Sequence, residues 1–176
     1  MNSEFVNALK NAASTVSIVT SNGNNGMAGA TISSFCSVSA NPATLLACVF
    51  KKTPLASMIK SNKKFCINLL SQKQIEISNI FAGREISANQ NKFDLIEWKF
   101  GKFNQPIITG SVASFECNVS NVIDGQTHNI FIGDVISIID EPNIKDPLIY
   151  GKQKYAKYTN FGNDQIGLNK LMLEIL

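Results

Sequence analysis

The N-terminal segment places apolar side chains at the spacing of an amphipathic helix. Phe5, Leu9 and Ala12 recur at helical intervals. Ser3 can cap the first turn, and Glu4 meets the positive end of the helix dipole. We therefore predict a short helix at the start of the chain.

Beyond this helix, the chain consists mainly of short apolar and β-branched runs bounded by turn formers. The turn formers include the polar run at 21–26, the step Asn41-Pro42 and a hairpin turn at 123–126 that contains Asp124-Gly125. The runs between them suit strands better than helices because they are short and rich in β-branched and aromatic residues. The predicted strands cover residues 16–20, 28–39, 44–50, 65–70, 107–122, 128–139 and 148–150.

Two further helices and one irregular segment are predicted. Thr53 and Pro54 are typical of the cap and the first position of a helix, which should end near residues 61–62. A second helix is predicted over residues 72–81, where apolar side chains return at helical steps. The segment 82–105 has mixed polarity with a few aromatic anchors, and it is predicted to be a long loop packed onto the domain.

These elements favour one fold class. Strands outnumber helices and follow one another through hairpins, so an antiparallel barrel with peripheral helices is the simplest architecture. A doubly wound parallel fold would need regular alternation of strands and helices, and no GxGxxG or GxxxxGK[ST] motif occurs in the sequence. A length of 176 residues favours a single domain over residues 1–176.

Composition narrows the classes of partner. The formal charge of +3 is spread along the chain, with pairs of lysines rather than a basic stripe, which argues against a nucleic-acid partner. The four cysteines form no CxxC pair and have no histidine near them, so we expect no metal site. No run approaches the roughly 18 apolar residues of a membrane span, and no signal peptide is evident. We expect a cytoplasmic protein with reduced thiols and no membrane partner.

Three features could carry chemistry, and each has a plainer interpretation. The segment 29–39 places five hydroxyls and a thiol within eleven residues, which could bind a polar ring edge or a phosphate, or form an ordinary polar strand. Lys51, Lys52 and Thr53 precede a predicted helix, where they could hold a phosphate or be solvated. His128 is the only histidine, and it could act near neutral pH or be merely packed or solvated.

Several blocks in order resemble one known family. The block GATISSFCSVSANP at 29–42 is similar to the G-x-T-x-x-S-F-x-S-V-S-x-x-P block of the short-chain flavin reductases. These are the small reductase partners of two-component flavin monooxygenases, within the FMN-binding split-barrel group. The resemblance runs from about residue 16 to about residue 155. Its other blocks are TLLACVF with KKTP, KFCINLL, the stretch 74–83 ending in FAG, Lys92-Phe93, PIITGSVASFEC, HNIFIGDV and PLIY.

The resemblance implies a fold, an activity and a set of site residues. The fold would be an antiparallel Greek-key split barrel with a core at about 10–157 and a tail at 158–176. The activity would be NAD(P)H:flavin oxidoreductase, with FMN or FAD as flavin and NADH or NADPH as hydride donor. His128 would lie beside the nicotinamide as the catalytic residue. The resemblance implies that the flavin is contacted by Thr31, Ser33, Ser34, Cys36 and Ser37. Its phosphate would be approached by Phe50, Lys51, Lys52, Thr53 and Ser57, and another edge of the flavin would be covered by Phe81 and Ala82.

The resemblance also implies partners and leaves alternatives. Family members are generally homodimers, so we expect a homodimer that serves a monooxygenase component. The apolar residues of the tail suggest a terminal helix packed on that dimer. Cys36 replaces the family's common threonine, and the turn before His128 is longer than usual and lacks its acidic neighbour. A reductase of a corrinoid or ferric acceptor, a non-catalytic flavin-binding protein and a purely structural domain remain alternatives.

Overall fold

A computed structural model describes residues 2–84, 86–87, 90–144 and 146–159 of the chain. Within these residues three α-helices and one 3-10 helix accompany twelve strands. The helices are α1 (Asn2–Leu9), α2 (Pro54–Asn62) and α3 (Ile75–Phe81), with the 3-10 helix at Lys92–Leu95. The strands are β1 (Ala13–Thr15), β2 (Ser17–Gly23), β3 (Gly26–Ile32), β4 (Phe35–Ala40), β5 (Ala43–Phe50), β6 (Lys64–Leu69), β7 (Trp98–Phe100), β8 (Pro106–Ile108), β9 (Ala113–Gly125), β10 (His128–Asp140), β11 (Leu148–Gly151) and β12 (Lys154–Lys157).

Seven strands form one antiparallel sheet in the order β3-β2-β6-β9-β10-β5-β4. Its centre is the long hairpin of β9 and β10, in which Val122 pairs with Phe131. Two smaller antiparallel sheets flank it, β1-β11-β12 and β7-β8. The prediction of a mainly β, antiparallel protein with peripheral helices is confirmed.

The main sheet is curled around the larger of two buried hydrophobic clusters. Val19 of β2 and Ile32 of β3 lie in the same buried cluster as Ala47 and Val49 of β5, although these strands stand near opposite ends of the sheet. The amide of Cys48 donates to the carbonyl of Ser34 at 2.9 Å, which ties the segment after β3 to β5. Three residues of α2, Leu55, Ala56 and Ile59, pack into this core.

A second buried region is the set of hydrogen bonds around Asn68 of β6, and we call it the Asn68 cluster. The Asn68 amide nitrogen donates to the carbonyls of Ile18 at 3.2 Å and Pro106 at 3.3 Å. Its carbonyl oxygen accepts from the Ile108 amide at 3.0 Å and from the Ser114 hydroxyl at 2.8 Å. One fully buried side chain therefore holds β8 against three strands of the main sheet.

Two predicted strands are wrong because each is interrupted. The strand predicted over 28–39 breaks at Ser33 and Ser34, where the backbone bonds to β5 instead of continuing one ladder. The strand predicted over 107–122 breaks between β8 and β9, where Gly110 has a φ of +81° and the Ser111 amide donates to the Ile108 carbonyl. The hydrophobic pattern alone does not reveal either break, because the residues on both sides of each break have the composition of strands.

Other boundaries also differ. The predicted turn at 123–126 is displaced, because β9 continues to Gly125 and the hairpin loop is Gln126-Thr127. The segment 82–105, predicted as a long loop, contains the 3-10 helix and β7 among its described residues. Strands β1 and β12 were not predicted. The helix predicted for the tail lies outside the described residues, as do residues 160–176.

The described residues also limit two other classes of feature. None of the helices in that part of the chain has the length and apolar character that a bilayer span requires. The same residues contain no group of three or more His, Cys, Asp or Glu side chains placed to hold a metal ion.

Candidate functional site

The break between β3 and β4 forms one wall of a cleft of about 220 Å³. The side chains of Ser33 and Ser34 are exposed there, while the Ser34 carbonyl is engaged by β5. The opposite wall comes from the end of β5 and the start of β10. The cleft is lined by Ala30, Thr31, Ile32, Ser33, Ser34, Cys48, Val49, Phe50, Thr53 and His128.

His128 lies at this cleft because of strand register. It is the first residue of β10 and pairs with Phe50, the last residue of β5. The two rings are tilted with their centroids 5.4 Å apart, and His128 Nδ1 lies 2.9 Å from the Thr127 hydroxyl. The imidazole is exposed, so one polar ring is held at the edge of the hydroxyl-lined cleft.

The lysine pair before α2 is not part of the cleft lining. The Lys51 ammonium donates to the Asp124 carboxylate across the β9–β10 hairpin, and its backbone amide donates to Thr127. The hydrogen bond from Lys51 lowers the pKa of Asp124. Lys52 is exposed to solvent. Lys51 therefore joins the end of β5 to the β9–β10 hairpin, and neither lysine lines the cleft.

Thr53 does reach the cleft, and it also begins α2. Its hydroxyl oxygen accepts from the Ala56 amide at 3.4 Å and its hydroxyl donates to the Phe50 carbonyl at 2.8 Å. The cap predicted from the sequence is thus formed, and it joins the end of β5 to the helix. Ser57, one turn later, donates to the Pro54 carbonyl and is exposed away from both cavities described here.

A second cavity of about 350 Å³ continues the cleft along β3. The two share Ala30 and Thr53. Phe81 and Ala82 line this second cavity, although the Phe81 ring is only 2% exposed. A Cβ at Gly29 would lie 2.5 Å from a Phe81 ring carbon, so only glycine allows this contact between strand and ring.

The structure therefore brings together most, but not all, of the residues implied by the resemblance. Thr31, Ser33, Ser34, Phe50, Thr53 and His128 line the cleft, and Phe81 and Ala82 line its continuation. Cys36 and Ser37 lie on β4 opposite Leu46 and Leu45, exposed and outside both linings. Lys51, Lys52 and Ser57 also lie outside them.

Two residues that the sequence did not single out are present in these cavities. Cys48 lines the cleft between Val49 and the serines, and burial raises the pKa of its thiol, so the thiol is neutral near pH 7. Its strand alternation with Phe50 was a usable signal, because residues two apart on a strand share a face. Lys92 lines the second cavity, and the sequence offered only its place in a matching block.

Comparison with known proteins identifies the family. The flavin reductase like domain model matches residues 9–159. The FMN reductase (NADH) RutF of Enterobacter cloacae is 34% identical over 138 residues, covering 78% of this chain and 83% of the relative. The reductase component of 4-hydroxyphenylacetate 3-monooxygenase from Pseudomonas aeruginosa is 28% identical over 87% of this chain and 89% of its own length. The solved flavin reductase PheA2 superposes with a TM-score of 0.81 at 29% identity, covering 91% of this chain and 99% of the neighbour.

The chain therefore belongs to the flavin reductase like domain family. The resemblance drawn from the ordered sequence blocks is confirmed, and with it the prediction of an oxidoreductase of the flavin reductase class.

Proposed function

We propose that this protein transfers hydride from NADH to FMN, and that the reduced flavin supplies a monooxygenase component. The observation that carries the proposal is the cleft in which Ser33, Ser34 and His128 meet beside apolar side chains of β5. The relatives named as NADH-dependent FMN reductases and as a monooxygenase reductase component support the choice of nicotinamide, flavin and partner.

The side chains of the cleft fit a flavin. Within the described residues, the hydroxyls of Ser33 and Ser34 have no hydrogen-bond partner, so they can donate to ring carbonyls and nitrogens. Phe50, whose side chain is 42% exposed, supplies an apolar surface for a ring face. Thr31 differs from the serines, because its hydroxyl already donates to the Ser78 carbonyl at 2.7 Å.

A bound flavin supplies the hydride acceptor, while the protein supplies position and electrostatics. Ser33 and Ser34 hold their hydroxyl donors in place, because the Cys48 amide of β5 donates to the Ser34 carbonyl and so attaches this segment to the sheet. The neutral Cys48 thiol adds no charge to the cleft. His128 orients the nicotinamide carboxamide by hydrogen bonding, which lowers the entropic cost of alignment rather than transferring a proton.

The finer architecture is also part of the proposal. The shared core of β2, β3 and β5 supports a split barrel of the Greek-key type, formed by one domain across residues 1–176. Exposed apolar side chains support a homodimer, including Phe50 and Ile123 on the main sheet and Phe5 on α1. The free thiols are consistent with a cytoplasmic location.

Anaerobic mixing of the protein with FMN and NADH tests the function directly. Bleaching of flavin absorbance is expected, and it should depend on enzyme concentration. A protein that binds FMN but does not bleach it would overturn the proposed activity. A better rate with a ferric or corrinoid acceptor than with FMN would overturn the proposed acceptor.

Two substitutions then test the site. Ser34→Ala should weaken FMN binding by about five- to tenfold through loss of a hydrogen bond. His128→Ala should leave the Kd for FMN nearly unchanged and lower kcat/KM for NADH by about tenfold or more. Ser61→Ala is the matched control, because Ser61 lies at the far end of α2. If both site variants behaved like the control, this cleft would not be the site.

A further inference from the structure

Four lysines lie where α2 ends and β6 begins, next to the loop 101–105 that joins β7 to β8. We call them the lysine cluster, and its members are Lys60 in the last turn of α2, Lys63 just after the helix, Lys64 at the start of β6, and Lys102 in the loop. Lys64 is half-buried and the other three are exposed. Among the described residues, none of the four forms a salt bridge.

The sequence around the lysine cluster carries no negative charge. Residues 5–75 contain seven lysines and no aspartate or glutamate, and the loop 101–105 contains no acidic residue either. The first of these stretches forms α2 and the strands β2, β3 and β6 that pack against it. On the neighbouring hairpin, Asp124 pairs with Lys51, and Asp134 lies two strands away from β6. The surface at the end of α2 is therefore positive, with little compensation from nearby groups.

Phe103 holds two members of the lysine cluster close to one another. The Lys64 ammonium lies 5.8 Å from the centroid of the Phe103 ring, and the Lys102 ammonium lies 5.7 Å from the same centroid. Each ammonium is attracted by the negative face of the ring, so both side chains are restrained. Two like charges held at one ring repel each other, and an anionic group placed between them would relieve that repulsion.

The loop that carries Phe103 and Lys102 is itself anchored. The fully buried Glu116 carboxylate accepts from the Phe103 amide at 2.9 Å and from the Gln105 amide at 3.2 Å. The Asn22 side chain of β2 donates to the Asn104 carbonyl at 3.0 Å. Because the loop is fixed from two sides, the lysine cluster is formed before any partner binds. A binding surface organised in this way loses little conformational freedom on association.

We propose that the lysine cluster docks an acidic surface of the monooxygenase component that receives the reduced flavin. α2 links this surface to the cleft, because Thr53 caps the helix and lines the cleft, while Lys63 follows the other end of the helix. Nine helical residues span about 14 Å, so a partner docked at the cluster lies close to the mouth of the cleft. This inference rests on the proposed function and adds to it the surface that the partner contacts.

The chemistry of the lysine cluster favours an acidic protein over other partners. The Phe103 ring is engaged by two ammonium groups, so inserting it into a lipid layer or stacking it on a nucleic-acid base would displace them. A second copy of the chain that presented the same face would be repelled by its like charge. Carboxylates of a protein surface can pair with the lysines without moving the ring.

Labelled poly-L-glutamate of one defined length is the probe for an acidic protein surface, and fluorescence anisotropy gives its Kd. Two triple variants with the same net charge are compared. The cluster variant carries Lys63→Gln, Lys64→Gln and Lys102→Gln. The matched control carries Lys73→Gln, Lys154→Gln and Lys157→Gln, three exposed lysines in other parts of the fold.

The cluster variant should bind polyglutamate about five- to fiftyfold more weakly than the wild type at low salt, as expected for the loss of three surface ion pairs. The control should lose less than about threefold, and the difference between the two variants should shrink as salt is raised. Replacing the same three cluster lysines by arginine should retain binding. Both glutamine variants should bleach FMN with NADH at the wild-type rate, because none of these lysines lines the cleft.

A further variant tests the arrangement of the charges rather than their number. Phe103→Leu keeps every lysine but removes the ring that holds Lys64 and Lys102, so it should weaken polyglutamate binding by about two- to fivefold. Phe5→Leu is its control, because Phe5 is an exposed phenylalanine on α1, and it should match the wild type.

The outcomes separate this inference from the proposed function. Equal losses in the cluster variant and in the lysine control would overturn the inference, because binding would then follow net charge alone. Tighter binding of phosphatidylserine vesicles or of an oligonucleotide than of polyglutamate, lost in the cluster variant, would overturn it in favour of that partner. If the wild-type protein failed to bleach FMN with NADH but still bound polyglutamate through the cluster, the proposed function would fail and the anionic docking surface would remain.

Discussion

Two polar regions of the molecule, the Asn68 cluster and the cleft lined by Ser33 and Ser34, differ in how completely their hydrogen-bonding groups are used. In the Asn68 cluster, the Asn68 side chain is fully buried and both of its polar atoms have several partners. In the cleft, Ser33 and Ser34 are exposed and, among the described residues, their hydroxyls have no partner. The first region is saturated and the second is open.

The difference separates architecture from function. A buried polar group without a partner costs free energy, so a buried cluster whose hydrogen bonds are all made favours one arrangement of strands. Hydroxyls at a cleft keep water as their partner until a ligand replaces it, so they cost little free energy in the free protein. The Asn68 cluster should therefore govern the stability of the fold, and the cleft should govern ligand affinity.

Asn68→Leu should have the largest effect of the changes considered. It leaves the Ile108 amide and the Ser114 hydroxyl buried without their acceptor. The free energy of unfolding should fall by roughly 3 kcal/mol or more, measured by urea denaturation. Asn118→Leu is the control, because Asn118 is exposed on β9, and it should change stability by less than about 0.5 kcal/mol. A small effect of Asn68→Leu on the free energy of unfolding would contradict the structural role of the Asn68 cluster.

Gly29→Ala comes next, because Gly29 lies where the buried Phe81 ring meets the second cavity. The new methyl group would lie 2.5 Å from the Phe81 ring, so stability should fall by about 1–3 kcal/mol. FMN affinity should fall as well, since Phe81 and Gly29 both line the second cavity. The cost should be smaller in a Phe81→Leu background, which tests the contact by a double-mutant cycle. Equal costs in the two backgrounds would contradict it.

Cysteine alkylation compares buried thiols with the thiol that lines the cleft within one experiment. Cys66 and Cys117 are buried, and burial raises the pKa of the Cys66 thiol well above its usual range and that of Cys117 to about 12. Both should resist iodoacetamide until the protein unfolds, because the thiolate is the reactive form. Cys36 is exposed and should react first.

Cys48 should give the informative result in that experiment. It lines the cleft, so saturating FMN should slow its alkylation by about tenfold, whereas Cys36 on β4 should be protected less. Mass spectrometry of the alkylated peptides resolves the sites. Stronger protection of Cys36 than of Cys48 would favour the flavin contact implied for Cys36 by the family resemblance.

Local features were predictable from the sequence, and long-range ones were not. The cap of α2 formed as predicted, because Thr53 and Pro54 act within one turn. The hydroxyl block was found from composition, but its break at Ser33 and Ser34 depends on pairing with β5. That pairing joins residues that are distant in sequence, and strand propensity carries no information about it.

The lysines show the same limit at the site. Lys51 and Lys52 looked suited to a phosphate because they precede a helix, yet Lys51 pairs with Asp124, which is 73 residues away. Lys92 lies in a segment predicted only as a loop, and its place at the cavity follows from the packing of Phe93 on Phe81. The sequence thus located the hydroxyl-lined cleft, and the tertiary structure located the second cavity that adjoins it.

Asp124→Asn should have the smallest effect, and it tests whether Lys51 belongs to the hairpin or to the cleft. The lowered pKa of Asp124 means that its ion pair adds stability above the unfolded-state pKa, and that this contribution is lost as pH falls through the folded-state pKa. The variant should therefore lose a small part of the acid-range dependence of Tm, and nothing near neutral pH should change in the cleft. Because Lys51 lies outside the cleft lining, the Kd for FMN should change by less than about twofold at moderate salt. A large gain in FMN affinity would mean that Asp124 restrains Lys51 from the phosphate, and the division between a structural hairpin and a binding cleft would then have to be redrawn.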